Sequence, residues 1–371
     1  MPKFANIRIW ILVFLISGSI GSMSCSRERD QSGPVRVGAV LPLTGNLAFL
    51  GEAIRNGMEL ATEEINATAR KENRQFLVIY EDSKGNPSDG VSAVRKLIDA
   101  DKVKYLIINL TSVALASGPI LDETNTLGLV LSTHPQILKG RKNLVRIFVS
   151  GVQESDLIAE YVRLKEYTSF SILHVNDSYG KGTGDFLGLK LNSLGDVLGI
   201  HYYDLIERDF RSALTKIRRE DPQVLIVIGY GQEYPTLFRQ MAEFLLQPTI
   251  ISNLSFANVA GQAILKELRL NTAYVAPAFL KVEWRTRESK KFAEKYERRY
   301  DRMPDFNAAY GYDNIKLLDK AIREAASDSV KDVNKALRGI KGYQGAIGRI
   351  DILENGESIT DMRMIEGFGN N

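Results

Sequence analysis

The run densest in chemistry-capable residues is Asn176-Asp177-Ser178-Tyr179-Gly180-Lys181-Gly182-Thr183-Gly184. Glycines beside a lysine suggest a cradle for phosphate. The spacing rejects that reading. Lys181 is followed by Gly182 rather than Ser or Thr, and no glycine stands five residues before Gly180. Gly182, Gly184 and Gly188 are one residue too long for the dinucleotide pattern. What remains is Tyr179, whose ring can wall a pocket while its hydroxyl bonds a ligand. Gly229-Tyr230-Gly231-Gln232-Glu233 offers a second aromatic, Tyr230, on a flexible turn.

Four further loops bear inspection. In Asn109-Leu110-Thr111-Ser112, Ser112 could cap the following helix. The free N–H groups of that first turn favour a carboxylate or other anion, and a plain cap is the competing reading. Ser132-Thr133-His134-Pro135-Gln136 carries His134, which could donate a hydrogen bond or hold charge. No second histidine or carboxylate pair gives it metal-ligand spacing. The segment from Leu41-Pro42-Leu43-Thr44-Gly45 to Phe49-Leu50-Gly51 offers apolar contact at Leu50, and Asn253-Leu254-Ser255-Phe256 is the last of the set. With 3 histidines and 1 cysteine in 371 residues, a hydrolase or transferase would depend on carboxylates alone. No spacing nominates a catalytic pair. The expectation is a protein that is not an enzyme and uses neither metal nor cofactor.

These loops need elements to position them. Val35–Leu41, Phe76–Tyr80, Tyr105–Ile108 and Gly128–Leu131 are short apolar runs that read as buried strands. Between them lie helical stripes: Ile54, Met58, Ala61 and Ile65, then Val91, Val94, Leu97 and Ile98 within Pro87–Asp99. The rhythm restarts with strands Ser169–Val175, Gly199–Leu205, Val224–Ile228 and Thr249–Ile251. Helices Gly182–Leu194, Ser212–Arg219 and Tyr234–Leu245 lie between these strands. A helical stretch from Arg287 to Ile340 breaks at Pro304, and strands are expected at Ala346–Leu353 and Asp361–Glu366. Apolar strands alternating with helices imply parallel sheets covered on both faces. The expected fold is α/β, with two doubly wound parallel-sheet lobes. Ligands in such sheets sit beyond the carboxyl ends of the strands, which is where the loops above fall.

The amino terminus speaks to location. Lys3 and Arg8 precede the apolar run Ile9–Ile16, too short for a permanent membrane span. Residues 1–24 read as a signal peptide and 25–34 as a polar tether. Ser22-Met23-Ser24-Cys25 resembles a bacterial lipobox, with Ser22 where that pattern prefers Leu. Lipidation at Cys25 and cleavage nearby without it are the two readings; the first accounts for an exported chain with a single unpaired cysteine. Loss of residues 1–24 takes the formal charge from +3 to +1. Basic pairs such as Arg218-Arg219 alternate with acids, so no nucleic-acid partner is expected, and membrane contact is through the lipid anchor only.

In order, these segments resemble the periplasmic leucine/isoleucine/valine-binding family, the type I solute-binding proteins of ABC importers. The resemblance covers nearly all of 35–366. Its most specific pieces are Val37-Gly38-Ala39-Val40-Leu41-Pro42-Leu43-Thr44-Gly45, Arg55-Asn56-Gly57-Met58-Glu59-Leu60-Ala61, Asn176–Gly182, Asp209-Phe210 and Tyr312-Asp313. It implies lobes joined by a three-stranded hinge, with crossovers near 149–151, 276–279 and 342–350. Lobe 1 would comprise 35–150 plus 277–345, and lobe 2 would comprise 151–276 plus 346–371. It implies a solute held at Ser112 with neighbouring Leu110, completed by His134 and Gln136, and met by Tyr179 and Tyr230 from the second lobe. Leu50 falls where many members carry an aromatic. Leu254 falls where amino-acid binders usually carry an acid for the ligand ammonium. Glu233 or Asp177 would have to substitute, or the solute lacks an amine. The implied function is extracytoplasmic capture of a small carboxylate-bearing or amide solute by lobe closure. The protein would act as a monomer and deliver to an ABC permease. A sensing module for a receptor or kinase, and an α/β enzyme, are the alternatives.

Overall fold

The computed structural model describes residues 33–69, 75–257, 264, 267–268, 270–280 and 285–367. The expected signal peptide, Cys25 and most of the tether lie outside the described residues.

Five apolar runs become one parallel sheet. They are β1 (Val35–Leu41), β2 (Phe76–Asp82), β3 (Tyr105–Asn109), β4 (Leu127–Leu131) and β5 (Leu144–Arg146), in the order β2-β1-β3-β4-β5. Every residue of β3 and β4 is buried, as strands covered on both faces require. The covering helices are α1 (Ala48–Ala69), α2 (Pro87–Asp99) and α3 (Thr111–Glu123). The stripe Ile54, Met58, Ala61 and Ile65 is buried along α1. At the start of α2, the Asn86 side chain accepts from the Asp89 amide at 2.9 Å and Pro87 occupies the first turn.

The chain then builds a second sheet. Its strands are β6 (Ser169–Val175), β7 (Asp196–Tyr203), β8 (Val224–Ile228), β9 (Thr249–Ser252) and β10 (Thr272–Pro277). Its helices are α4 (Gly151–Leu164), α5 (Ser178–Leu191), α6 (Arg211–Glu220) and α7 (Tyr234–Glu243). The order β10-β9-β8-β6-β7 is the first lobe's topology repeated, and β14 (Met362–Glu366) adds an antiparallel edge beside β10. In each sheet the order reverses beside the first strand, which puts a crevice between β1 and β3 and another between β6 and β8.

The expected helical stretch 287–340 is three helices: α8 (Arg287–Tyr300), α9 (Phe306–Ala325) and α10 (Val330–Gly339). All three return to the first lobe. Lys295 pairs with Glu64 and Arg299 with Glu63 on α1, while Asn314 donates to the Ile147 carbonyl at 3.0 Å. Arg338 caps the Leu144 carbonyl at 2.9 Å. α9 crosses α1 at backbone contact, since a Cβ on Gly57 would overlap the Ala308 carbonyl oxygen and one on Gly311 would overlap that of Ile54.

Several expectations need correction. β5, β10, β11 (Tyr343–Gln344) and β13 (Ser358–Thr360) add to the expected strands, as α4 adds to the helices. β12 (Arg349–Ile352) is shorter than the expected 346–353. β7 begins three residues before the expected Gly199, and α5 four residues before Gly182. β11, β12 and β13 form their own sheet, which is held to the first lobe. The Arg146 amide donates to the Gly356 carbonyl at 2.8 Å, and Ser358 Oγ donates to the Phe148 carbonyl at 2.7 Å. The third crossing to the second sheet therefore falls at 360–362 rather than 342–350, and the expected lobe division at 345/346 moves with it.

Candidate functional site

A cavity of about 70 Å³ opens beyond the carboxyl ends of both sheets. The first lobe supplies Leu50 from the start of α1, Asn109-Leu110-Thr111 after β3, Leu131-Ser132-Thr133 after β4, and Phe148 after β5. The second supplies Tyr179 after β6, Gly229-Tyr230 after β8 and Asn253-Leu254-Ser255 after β9. No charged side chain lines it. It is smaller than the ~150 Å³ that admits a benzene ring, so a ring-sized solute enters only if walls or lobes move apart.

Five expected residues, Leu50, Leu110, Tyr179, Tyr230 and Leu254, share this cavity. Ser112, His134 and Gln136 are not in its lining. Ser112 is not the helix cap: Leu110 takes that position, at φ 76 and ψ 134, with no side-chain cap bond. A positive φ is strained for leucine, and such strain gathers at binding sites. The turn it makes leaves the first amides of α3 without an intrahelical acceptor, the condition for holding an anion.

The loop after β4 is pinned from beneath by Arg146, which is fully buried. Its guanidinium forms two bonds to Glu357, at 2.8 and 3.2 Å. It also donates to the Ser132 carbonyl and, at 2.8 Å, to that of His134. Thr111 and Ser132 hydroxyls meet at 2.8 Å, tying the loops after β3 and β4 together. Burial, aided by the Arg146 charge, pulls the His134 pKa below its ordinary value and keeps the ring neutral at pH 7. Its Nδ1 accepts from the Gln136 amide at 3.2 Å. The ring lies against Gly182 of α5, where any side chain would overlap it. His134 therefore touches the second lobe outside the cavity, and Gln136 is exposed.

The glycine-rich run is helix rather than loop. Asp177 caps α5 by accepting from the Gly180 amide at 2.8 Å, and it also accepts from the Tyr230 hydroxyl at 2.7 Å. Tyr179 and Tyr230 rings stand 5.1 Å apart, tilted by 43°. Asn253 donates to the Tyr179 hydroxyl, which donates in turn to the Gly229 carbonyl at 3.3 Å. Glu233 accepts from the Tyr203 hydroxyl at 2.6 Å and the Tyr230 amide at 2.8 Å. Both acids considered as ammonium partners thus hold the tyrosine wall and neither lines the cavity; Glu233 does so through Oε1 alone, its Oε2 being buried without a partner. Asp177 is raised above the usual carboxylate range by burial, which outweighs the Tyr230 bond.

Glu154, on α4, has no signal in the sequence. It is buried, and one oxygen accepts from the Leu254 amide at 2.9 Å; the other has no partner in the structure. Burial pushes its pKa up to about 7, against the pull of the Leu254 amide and Arg146. Burial likewise pushes Asp313, which holds the Ala346 and Ile347 amides at 2.7 and 2.8 Å, up to about 7. Both folded values lie above the unfolded range near 4, so the native state binds more protons between about pH 4 and 7. Stability should fall as pH rises through 7, by about 1 kcal/mol per group from pH 6 to 8. Neutral His134 opposes this by a smaller amount. Thermal unfolding checks it: the midpoint is expected higher at pH 6 than at pH 8, with the difference reduced in Glu154→Gln and Asp313→Asn. A higher midpoint at pH 8 would contradict it.

The arrangement can enclose a small solute between strand-end loops of two sheets. Among the described residues no group of histidine, cysteine, aspartate or glutamate could hold a metal ion, and no helix is long and apolar enough to cross a membrane. The family described as periplasmic binding protein matches residues 34–370. The chain belongs to that family. As a periplasmic binding protein it works outside the cytoplasm, and the family binds small-molecule solutes. The Leu/Ile/Val-binding protein BraC3 of Rhizobium johnstonii is 27% identical over 332 residues, covering 87% of this chain and 88% of that one. The substrate-binding protein LivJ of Streptococcus pneumoniae, solved with isoleucine, superposes at TM-score 0.78 with 20% identity, covering 90% of this chain and 96% of that one. An R. palustris ABC-transporter solute-binding protein solved with benzoate superposes at TM-score 0.81 with 19% identity, covering 91% and 94%.

Proposed function

We propose that this protein captures a small carboxylate-bearing or amide solute in the interlobe cavity by closing its lobes, and hands it to an ABC permease. The observation that carries the reading is the composition of the cavity wall. The start of α3, whose first amides have no side-chain cap, forms one side, and a tilted tyrosine pair covers the other. The relatives leave two solute classes in view, since one neighbour holds a branched-chain amino acid and another an aromatic acid. The absence of any charged side chain in the lining favours an amine-free solute. Contacts made only in the closed form shift the hinge equilibrium; moving it from 1:99 to 99:1 takes about 5.5 kcal/mol of differential binding. The working form is a monomer tethered through an acylated Cys25, a reading supported by the sequence before that residue. Titration calorimetry with small carboxylic acids and amides tests the function. Saturable binding of at least one is expected. A panel with no binder, together with natively purified protein that releases no small molecule on denaturation, would overturn it.

A further inference from the structure

We propose that Asn109 is the specificity-determining residue of the cavity, its Oδ1 accepting a hydrogen from a neutral donor on the solute, a hydroxyl or an amide N–H. The inference rests on the reading that the cavity takes a small acid or amide. Asn109 ends β3, lines the cavity and is 6% exposed. Its Nδ2 donates to the carbonyl of Leu131, its partner in the parallel register with β4, at 3.0 Å. That bond fixes the amide, because the reversed orientation would set two oxygens face to face. Oδ1 is left buried and without a partner, as is the hydroxyl of Thr133 beyond the neighbouring strand. Buried acceptors are almost always satisfied, and those that are not mark a place where a partner belongs.

The second-lobe amide behaves differently. Asn253 spends its Nδ2 on Tyr179 and its Oδ1 on Ser255 Oγ at 2.6 Å. Both of its polar atoms already have a partner, whereas Asn109 Oδ1 has none. The donor that fills this vacancy is neutral because no counter-charge lines the cavity. Asp177, Glu233 and Glu154 all stand outside its lining: the first two accept from tyrosine groups and the third from the Leu254 amide, while the second oxygens of Glu233 and Glu154 are buried without partners. A buried ammonium without a counter-ion is disfavoured. Asn109 lies one residue before Leu110, the cap of α3. A solute carboxylate held by the α3 amides would then carry its donor close to the carboxylate, and 2-hydroxy acids are the simplest class that does so.

Titration calorimetry with three probes of one skeleton tests this: 2-hydroxy-4-methylpentanoate, 4-methylpentanoate and leucine. The wild type should bind the hydroxy acid at least ~10-fold tighter than either of the others, the scale of one buried hydrogen bond to a neutral partner. Asn109→Leu should cut the hydroxy-over-deoxy preference to under ~3-fold while retaining 4-methylpentanoate. Asn109→Ala, which removes the acceptor without adding bulk or charge beside the Leu131 carbonyl, should show the same loss of preference, and it decides the matter if Asn109→Leu does not fold. Equal wild-type affinities for the hydroxy and deoxy acids, or an unchanged preference in whichever of Asn109→Leu and Asn109→Ala folds, would overturn the inference alone. If none of the three binds to any form, the solute reading falls and the inference falls with it.

Discussion

Replacing Arg146 by alanine is expected to destabilise the protein by about 3 kcal/mol and to weaken solute binding at least ~10-fold. The guanidinium is wholly buried, and removing one member of a buried pair typically costs 3–5 kcal/mol. The lower end applies because Glu357 is 19% exposed and can turn to water. The carbonyls of Ser132 and His134 lose their donor, so the loop that forms one cavity wall loses its support. Both effects should appear together, in a chemical-denaturation midpoint and in calorimetry. Glu357→Gln keeps an acceptor beside the guanidinium and should lose less of either. A variant with unchanged midpoint and affinity would refute the role given to Arg146. Burial also lowers the Arg146 pKa, with Glu357 opposing, so the pair sits in place at a desolvation cost and its value lies in positioning.

The second large effect is expected at Gly57. Alanine there would press its methyl into the Ala308 carbonyl, a backbone atom in the middle of the α1–α9 crossing. The neighbour cannot rotate away, so the helices must separate, at a cost of about 3 kcal/mol for an overpacked core. Better helix propensity returns about 1 kcal/mol, leaving a net loss of about 2 kcal/mol. Gly339→Ala is the control: it closes α10 with nothing near its Cβ position, so the same propensity gain should raise stability. Urea unfolding of the pair checks the sign of each, and a stabilised Gly57→Ala would show that the crossing is looser than described.

The repeated βα rhythm was legible because central parallel strands such as β3, β4 and β8 are buried on both faces and show as unbroken apolar runs. β5, β11 and β13 were not, since segments of two or three residues carry no pattern and exist only through their partners. α4 was missed because its buried face includes Glu154 and Ser155 beside Ile158 and Val162, so no apolar stripe announces it. Tyr179 was found, though the first turn of its helix was read as loop: the glycines of α5 allow close approach to its surroundings instead of flexibility. Ser112 was misread as a cap because the cap is a leucine at positive φ, which propensity disfavours. Arg146 and Glu154 were invisible for a different reason. A lone charged residue in a sequence reads as surface, and what buries Arg146 is a carboxylate 211 residues away. Asn109 stood inside a segment already marked, but only the satisfied amide hydrogen and unsatisfied oxygen single it out.

The central claim is that two halves close on a solute. Small-angle X-ray scattering of the purified protein, before and after saturation with a binder identified by calorimetry, tests it most directly. The radius of gyration should fall on saturation and recover when the solute is dialysed away, without a change in molecular mass. Superimposable curves at full occupancy would contradict the account.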